Sequence, residues 1–138
     1  MANVLTNFGK KEILDSYFGS GTFKVMLLDS NHSNDIDTQE TIDDVDSNEI
    51  TGTGYTAGGQ ELTNVAVTVD DGDDEGVVDA DNAVWTGDII ARYAVIYKDT
   101  GTPSTSTIIG ILDFGADKES SNSDFEINFD SEGMFNLN

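Results

Sequence analysis

The chain has 138 residues, 37% of them hydrophobic, and sets 27 acidic residues against 6 basic ones for a net charge of −21. That length suits one domain able to bury most of its apolar surface. The absence of cysteine excludes disulfides, zinc–cysteine centres and thiol nucleophiles, and the charge argues against direct nucleic-acid or anionic-membrane binding, which needs clustered Lys and Arg.

The first residues, MANVLTNFGKK, lack the apolar core of a signal peptide, and the longest aliphatic run is Val25 to Leu28, so neither a leader nor a membrane span is expected. So much negative charge suits a saline medium, repulsion of DNA or of neighbouring copies, or cation binding. In dilute buffer, self-repulsion should weaken the fold, and the melting temperature should rise with added salt.

Phe8 to Phe18 holds the one convincing helical pattern. Ile13 with Tyr17 and Leu14 with Phe18 fall at i, i+4, and Gly19 offers a stop. So short a helix must pack on something. Strand signals follow at Thr22 to Leu28, with Phe23, Val25 and Leu27 on one face, and at Leu62 to Val69. Val77 to Trp85 reads as a strand interrupted by Asp79 and Asp81. Ile89 to Lys98 and Thr107 to Phe114 are rich in β-branched and aromatic residues. Phe125, Ile127 and Phe129 alternate with polar residues, as a strand with one wet face does, and Met134 to Leu137 makes a last short strand.

Polar connections are expected at Asp29 to Glu49, Asp70 to Gly76, Asp99 to Ser106 and Ala116 to Ser123. The first is long enough to hold a helical turn near Thr38 to Val45, with Ile42 and Val45 touching the core. The expected fold class is therefore all-β, an antiparallel, jelly-roll-like β-sandwich with a short N-terminal helix. Residues 1–21 form the helical segment and residues 22–138 the sandwich.

Thr51 to Gln60, TGTGYTAGGQ, places Gly52, Gly54 and Ala57 at the spacing of a dinucleotide-binding loop. Such a loop needs a strand before it and a helix after it, to aim backbone amides at a pyrophosphate. Here an acidic loop precedes and a strand signal follows, so a structural turn is expected instead. Asp29 to Glu40 partly matches a calcium loop, with Asp29, Asn31, Ser33, Asp37 and Glu40 at positions one, three, five, nine and twelve, Ile36 at the apolar position eight and Asn34 for the glycine at six. The flanks are wrong for that motif, whose loop lies between two helices. Asp71, Asp73, Glu75 and Gly76 match less well, because Asn82 takes the closing position. Solvated acidic loops are the expectation for both, and calorimetry with calcium decides it.

The single histidine, His32, lies in a polar stretch and is expected at the surface, which leaves no base for a nucleophilic triad. Trp85 is expected in a core or interface. No enzyme activity is expected, and no catalytic, cofactor-binding or metal-binding residue is assigned.

Five segments stand out together: FKVMLLDSNHS at Phe23 to Ser33, DIDTQETIDDVDSNEITGTGYTAGGQELTNVAVTV at Asp35 to Val69, VDADNAVWTG at Val78 to Gly87, ARYAVIYKDTG at Ala91 to Gly101 and IGILDFGAD at Ile109 to Asp117. In their order and approximate spacing they resemble small virion proteins of tailed bacteriophages. The resemblance covers most of the chain after residue 22 and implies a β-rich structural protein of the particle. It does not separate a head protein from a tail or fibre component.

A compact domain without a repetitive stalk suits a capsid decoration (cement) protein, trimeric and bound to the major capsid protein on the outer surface of the virion. Phe8, Ile13, Leu14 and Phe18, or Tyr55 and Tyr93, are candidates for its attachment surface, each with core packing as the competing role. A tail-associated protein is the first alternative, and a calcium-dependent adhesive β-domain the second.

Overall fold

The computed structural model describes residues 2–138. It shows a mainly β protein with two antiparallel sheets and one short helix, consistent with the all-β sandwich and N-terminal helix expected above. The chain forms two compact units.

One unit comprises Thr22–Glu61 and Ala83–Ile127. Its sheet has the order β2-β1-β5-β6, built from β1 (Thr22–Leu28), β2 (Gln60–Glu61), β5 (Ala83–Asp99) and β6 (Thr107–Ile127). β1 runs against β5 from Thr22 opposite Asp99 to Leu28 opposite Tyr93. β5 and β6 form a long ribbon from Ala83 opposite Ile127 to Lys98 opposite Thr107. Met26 and Leu28 of β1 and Val95 and Tyr97 of β5 build a core with Ile42 and Val45. Those last two flank a 3-10 turn at Ile42–Asp44, as anticipated for the long connection.

Ala116 to Ser123 is a correction: it is β6 paired to β5, with Lys118 opposite Ala91 and Glu119 opposite Ile90. As an edge strand it exposes most of its side chains there, so no apolar alternation marks it. Three register shifts along the ribbon blur the period further.

The other unit comprises the stretch up to Gly21, Leu62–Asn82 and Asn128–Asn138. Its sheet has the order β3-β4-β7, from β3 (Ala66–Asp70), β4 (Glu75–Asp79) and β7 (Phe135–Leu137). Helix α1 (Asn7–Phe18) packs on β3 and β4. Thr6 caps it by accepting the Gly9 N–H at 3.0 Å, and the Gly19 N–H closes it on the Asp15 carbonyl at 2.9 Å. Gly76 lets the helix lie close: a Cβ there would fall 2.9 Å from Leu14 Cδ1 and 3.2 Å from Lys10 Cβ.

Leu62 to Val69 is not one strand. β2 ends at Glu61, and Asn64 takes a left-handed conformation at φ 54 before β3 begins at Ala66. The corner is tied to Asp81, whose Oδ2 accepts from Thr63 Oγ1 at 3.1 Å and Asn64 Nδ2 at 2.5 Å. Asn in the αL region with a local side-chain bond is a turn device that strand periodicity does not register.

Candidate functional site

The glycine segment is a structural lock rather than a phosphate loop. It lies across β1 and β5 so closely that backbone replaces side chain: a Cβ on Gly54 would fall 2.1 Å from the Thr86 carbonyl oxygen, and one on Gly59 1.7 Å from that of Val25. Both glycines have positive φ, +89 and +77. β2 pairs only with Lys24 and Val25; beyond them the Ile50 N–H bonds the Leu27 carbonyl at 3.1 Å, and Glu49 bridges to Leu28. Tyr55 takes the remaining Leu27 N–H. Its hydroxyl accepts the Leu27 N–H at 3.0 Å and donates to Glu49 Oε1 at 2.8 Å, and the same carboxylate oxygen accepts the Gly58 N–H at 2.6 Å. The Tyr97 hydroxyl donates to the Gly58 carbonyl at 2.6 Å.

Burial is the main cause of the raised Tyr55 and Tyr97 pKa values, and the Glu49 charge adds to both. Tyr55 is half-buried, and its ring packs against Trp85 at 6.0 Å. Trp85 is core, 5% exposed, with Phe125 edge-on at 6.2 Å. Tyr93 is half-buried under Arg92.

His32 is a second correction. It is 5% exposed, packs edge-on to Tyr93 at 5.0 Å and bonds Asn34 Oδ1 through Nε2 at 2.8 Å. The polar loop that suggested a surface position folds the ring inward over the tyrosine.

The two acidic stretches fold differently. In Asp29 to Glu40 the carboxylates serve the loop's own backbone: Asp29 Oδ1 accepts the Asn31 N–H at 2.8 Å and Asp35 Oδ1 the Asp37 N–H at 3.1 Å. The turn between β3 and β4 does gather oxygens. Asp70, Asp73, Glu75 and Glu132 each place a carboxylate oxygen within 4.8 Å of the others, and these four could hold a hard divalent cation. Asp73 and Glu75 belong to the poorer calcium-loop match of the sequence, where a solvated loop was expected. Glu132 lay outside that match and arrives from beyond Asn128 through the pairing of β7 with β4. Asp71 turns aside to accept from Asn7 Nδ2 at 3.0 Å, and Asn82 bonds Asn128 instead of closing the loop. Asp70 Oδ1 also accepts the Gly72 and Asp73 N–H groups, and Glu75 Oε1 accepts from Asn136 Nδ2.

All six cationic side chains are engaged. Lys10 reaches the Asp74 carbonyl, Lys11 pairs with Asp15, Lys24 with Asp99 and Arg92 with Asp113. Lys98 and Lys118 lie over the Phe23 and Phe114 rings. Lys24 and the Gly101 N–H hold the Asp99 carboxyl below its ordinary 3.8, and Arg92 and the Gly115 N–H do the same for Asp113. The Thr41 and Glu40 N–H groups lower Asp44. A carboxylate with a depressed folded pKa contributes stability above its ordinary value and loses it as pH falls through the folded value. General protonation meanwhile relieves the self-repulsion of a −21 chain. In low salt, the melting temperature should therefore rise as pH drops from 7, then fall below 3.8. Added salt should flatten the first limb, and scanning calorimetry across pH at two salt concentrations checks it.

The N-terminal end of α1 carries the most concentrated exposed apolar surface. Val4 is 88% exposed, Leu5 52% and Phe8 67%. Of the other helix candidates, Ile13 is exposed, Leu14 half-buried and Phe18 buried, so Phe18 belongs to the core. No helix among the described residues is long and apolar enough to cross a membrane. No protein-family model, curated protein or solved structure matches the chain.

Proposed function

We propose that the protein is a non-enzymatic structural protein of a tailed-phage particle, a decoration protein bound to the major capsid protein on the outside of the head. The segments around TGTGYTAGG, RYAVIYKD and LDFG support membership of such particles. The observation that carries the decoration reading is the concentration of exposed apolar side chains, Val4, Leu5 and Phe8, at the start of α1 in a strongly acidic chain. Scattered exposed hydrophobics are ordinary, whereas three within five residues mark a contact surface.

A small domain of this kind acts by repetition. Each copy contributes one modest interface, and copies grouped as trimers bridge neighbouring capsid subunits, so that the lattice resists internal pressure through many contacts together. The charge keeps particles apart and demands screening between adjacent copies. Immunogold labelling of intact particles, with the copy number measured against the capsid subunit, tests this. Head labelling at about one copy per subunit is expected. Label confined to the tail would replace the proposal with the tail-associated reading.

A further inference from the structure

We infer that Val4, Leu5 and Phe8 are the docking anchor itself, and that their occupant is an apolar pocket rimmed by Lys or Arg on the capsid protein. The inference rests on the decoration reading and names the partner chemistry of that surface. The helix fixes the Phe8 end of the anchor. Thr6 caps the first turn of α1, and Asn7 Nδ2 donates to Asp71 Oδ1 at 3.0 Å and Asp74 Oδ1 at 3.1 Å, tying the start of the helix to the turn between β3 and β4. Lys10, buried, adds its bond to the Asp74 carbonyl. Beside Val4 and Leu5 lies an open cleft of about 630 Å³, with Lys10, Asp74 and Asn138 in its walls, room for a partner side chain.

The rim fixes the sign of the partner. Asp71, Asp73 and Asp74 sit on the adjoining turn and Glu12 on the helix, all exposed; Lys11 pairs with Asp15, and Lys10, buried on the Asp74 carbonyl, is the one lysine charge set against those four carboxylates. An apolar strip edged with an excess of carboxylates selects cationic surroundings. A second copy of this chain docked at this strip would set like carboxylates against each other.

The test uses heads purified without the protein and the full chain added back, with bound copies read by co-sedimentation. The triple variant Val4→Ser, Leu5→Ser, Phe8→Ser should bind at least about 100-fold more weakly, since a few central apolar anchors carry most of an interface's affinity. Its melting temperature should stay at the wild-type value, because all three side chains are exposed. Ile36→Ser, which removes an apolar side chain 91% exposed on the other unit, should bind like wild type. Wild-type affinity should fall as salt rises. Equal binding by wild type and triple variant would overturn the anchor while leaving the decoration reading in place, and salt-insensitive binding would overturn the cationic rim. If the wild-type chain does not bind heads, the decoration reading fails and the anchor with it.

Discussion

Gly59→Ala should lower the stability of the protein by roughly 3–5 kcal/mol, the range of severe backbone and packing defects. For a chain of this length that is a fall of roughly 10–20 °C in melting temperature. Two separate costs combine. The left-handed conformation at φ +77 costs an alanine about 1–2 kcal/mol by itself. The new Cβ would also stand 1.7 Å from the Val25 carbonyl oxygen, 2.6 Å from its carbon and 2.9 Å from Met26 Cα. Those atoms belong to a central strand whose Val25, Met26 and Leu27 are at most 1% exposed, so the strand has nowhere to retreat. Gly101 supplies the control, with φ +85 and nothing within 4 Å of its Cβ position. Gly101→Ala should cost only the conformational part, about 1–2 kcal/mol. Thermal melts of the two variants side by side separate the terms, and equal losses would refute the close-approach explanation.

The second large effect is expected at Glu49. One of its oxygens accepts both the Tyr55 O–H and the Gly58 N–H, and Tyr55 in turn accepts the Leu27 N–H that β2 does not reach. Glu49→Ala leaves two part-buried donors without their acceptor and should cost about 2–4 kcal/mol. Tyr55→Phe keeps the ring against Trp85 and loses only the hydroxyl bonds, so it should cost about 1–2 kcal/mol. Because the two residues share one network, the double variant should lose less than the sum of the singles. Urea titrations of the four proteins read the coupling; strict additivity would show that the network is not cooperative. The same tyrosines set the alkaline limit. Their folded pKa values stand above the ordinary 10.0, so above that pH the unfolded chain releases protons the folded chain retains, and stability falls.

Elements that bury an apolar face were legible in the sequence: α1 by its i, i+4 pairs, β1 and β5 by β-branched runs, and the core role of Ile42 and Val45 within a polar connection. Illegible parts were those where hydrogen bonding replaces apolar patterning. β6 runs through Lys118 and Glu119 because its backbone pairs with β5, whatever its side chains are. Leu62 to Val69 breaks at Asn64 for the sake of bonds to Asp81, a partner 17 residues on. His32 and Tyr55 looked exposed because local polarity gives no view of what folds over a loop. At the candidate site, Phe8 was named from the sequence as an attachment candidate, and it is 67% exposed. Val4 and Leu5 carry no helical period, and only their exposure beside the acidic turn marks them. Glu132 joins the carboxylate group through strand pairing, which no local spacing encodes. TGTGYTAGGQ was readable as a turn by its flanks, yet its packing against the β1 edge emerges only from where Gly59 and Tyr55 land.

The most direct measurement of the functional account is saturation binding of the purified full chain to heads that lack it, followed by a mechanical or thermal challenge of the loaded heads. The account predicts a defined saturation stoichiometry of about one copy per capsid subunit and a higher disruption temperature for loaded heads than for bare ones. Binding without saturation, or saturated heads that break at the same temperature as bare ones, would contradict it.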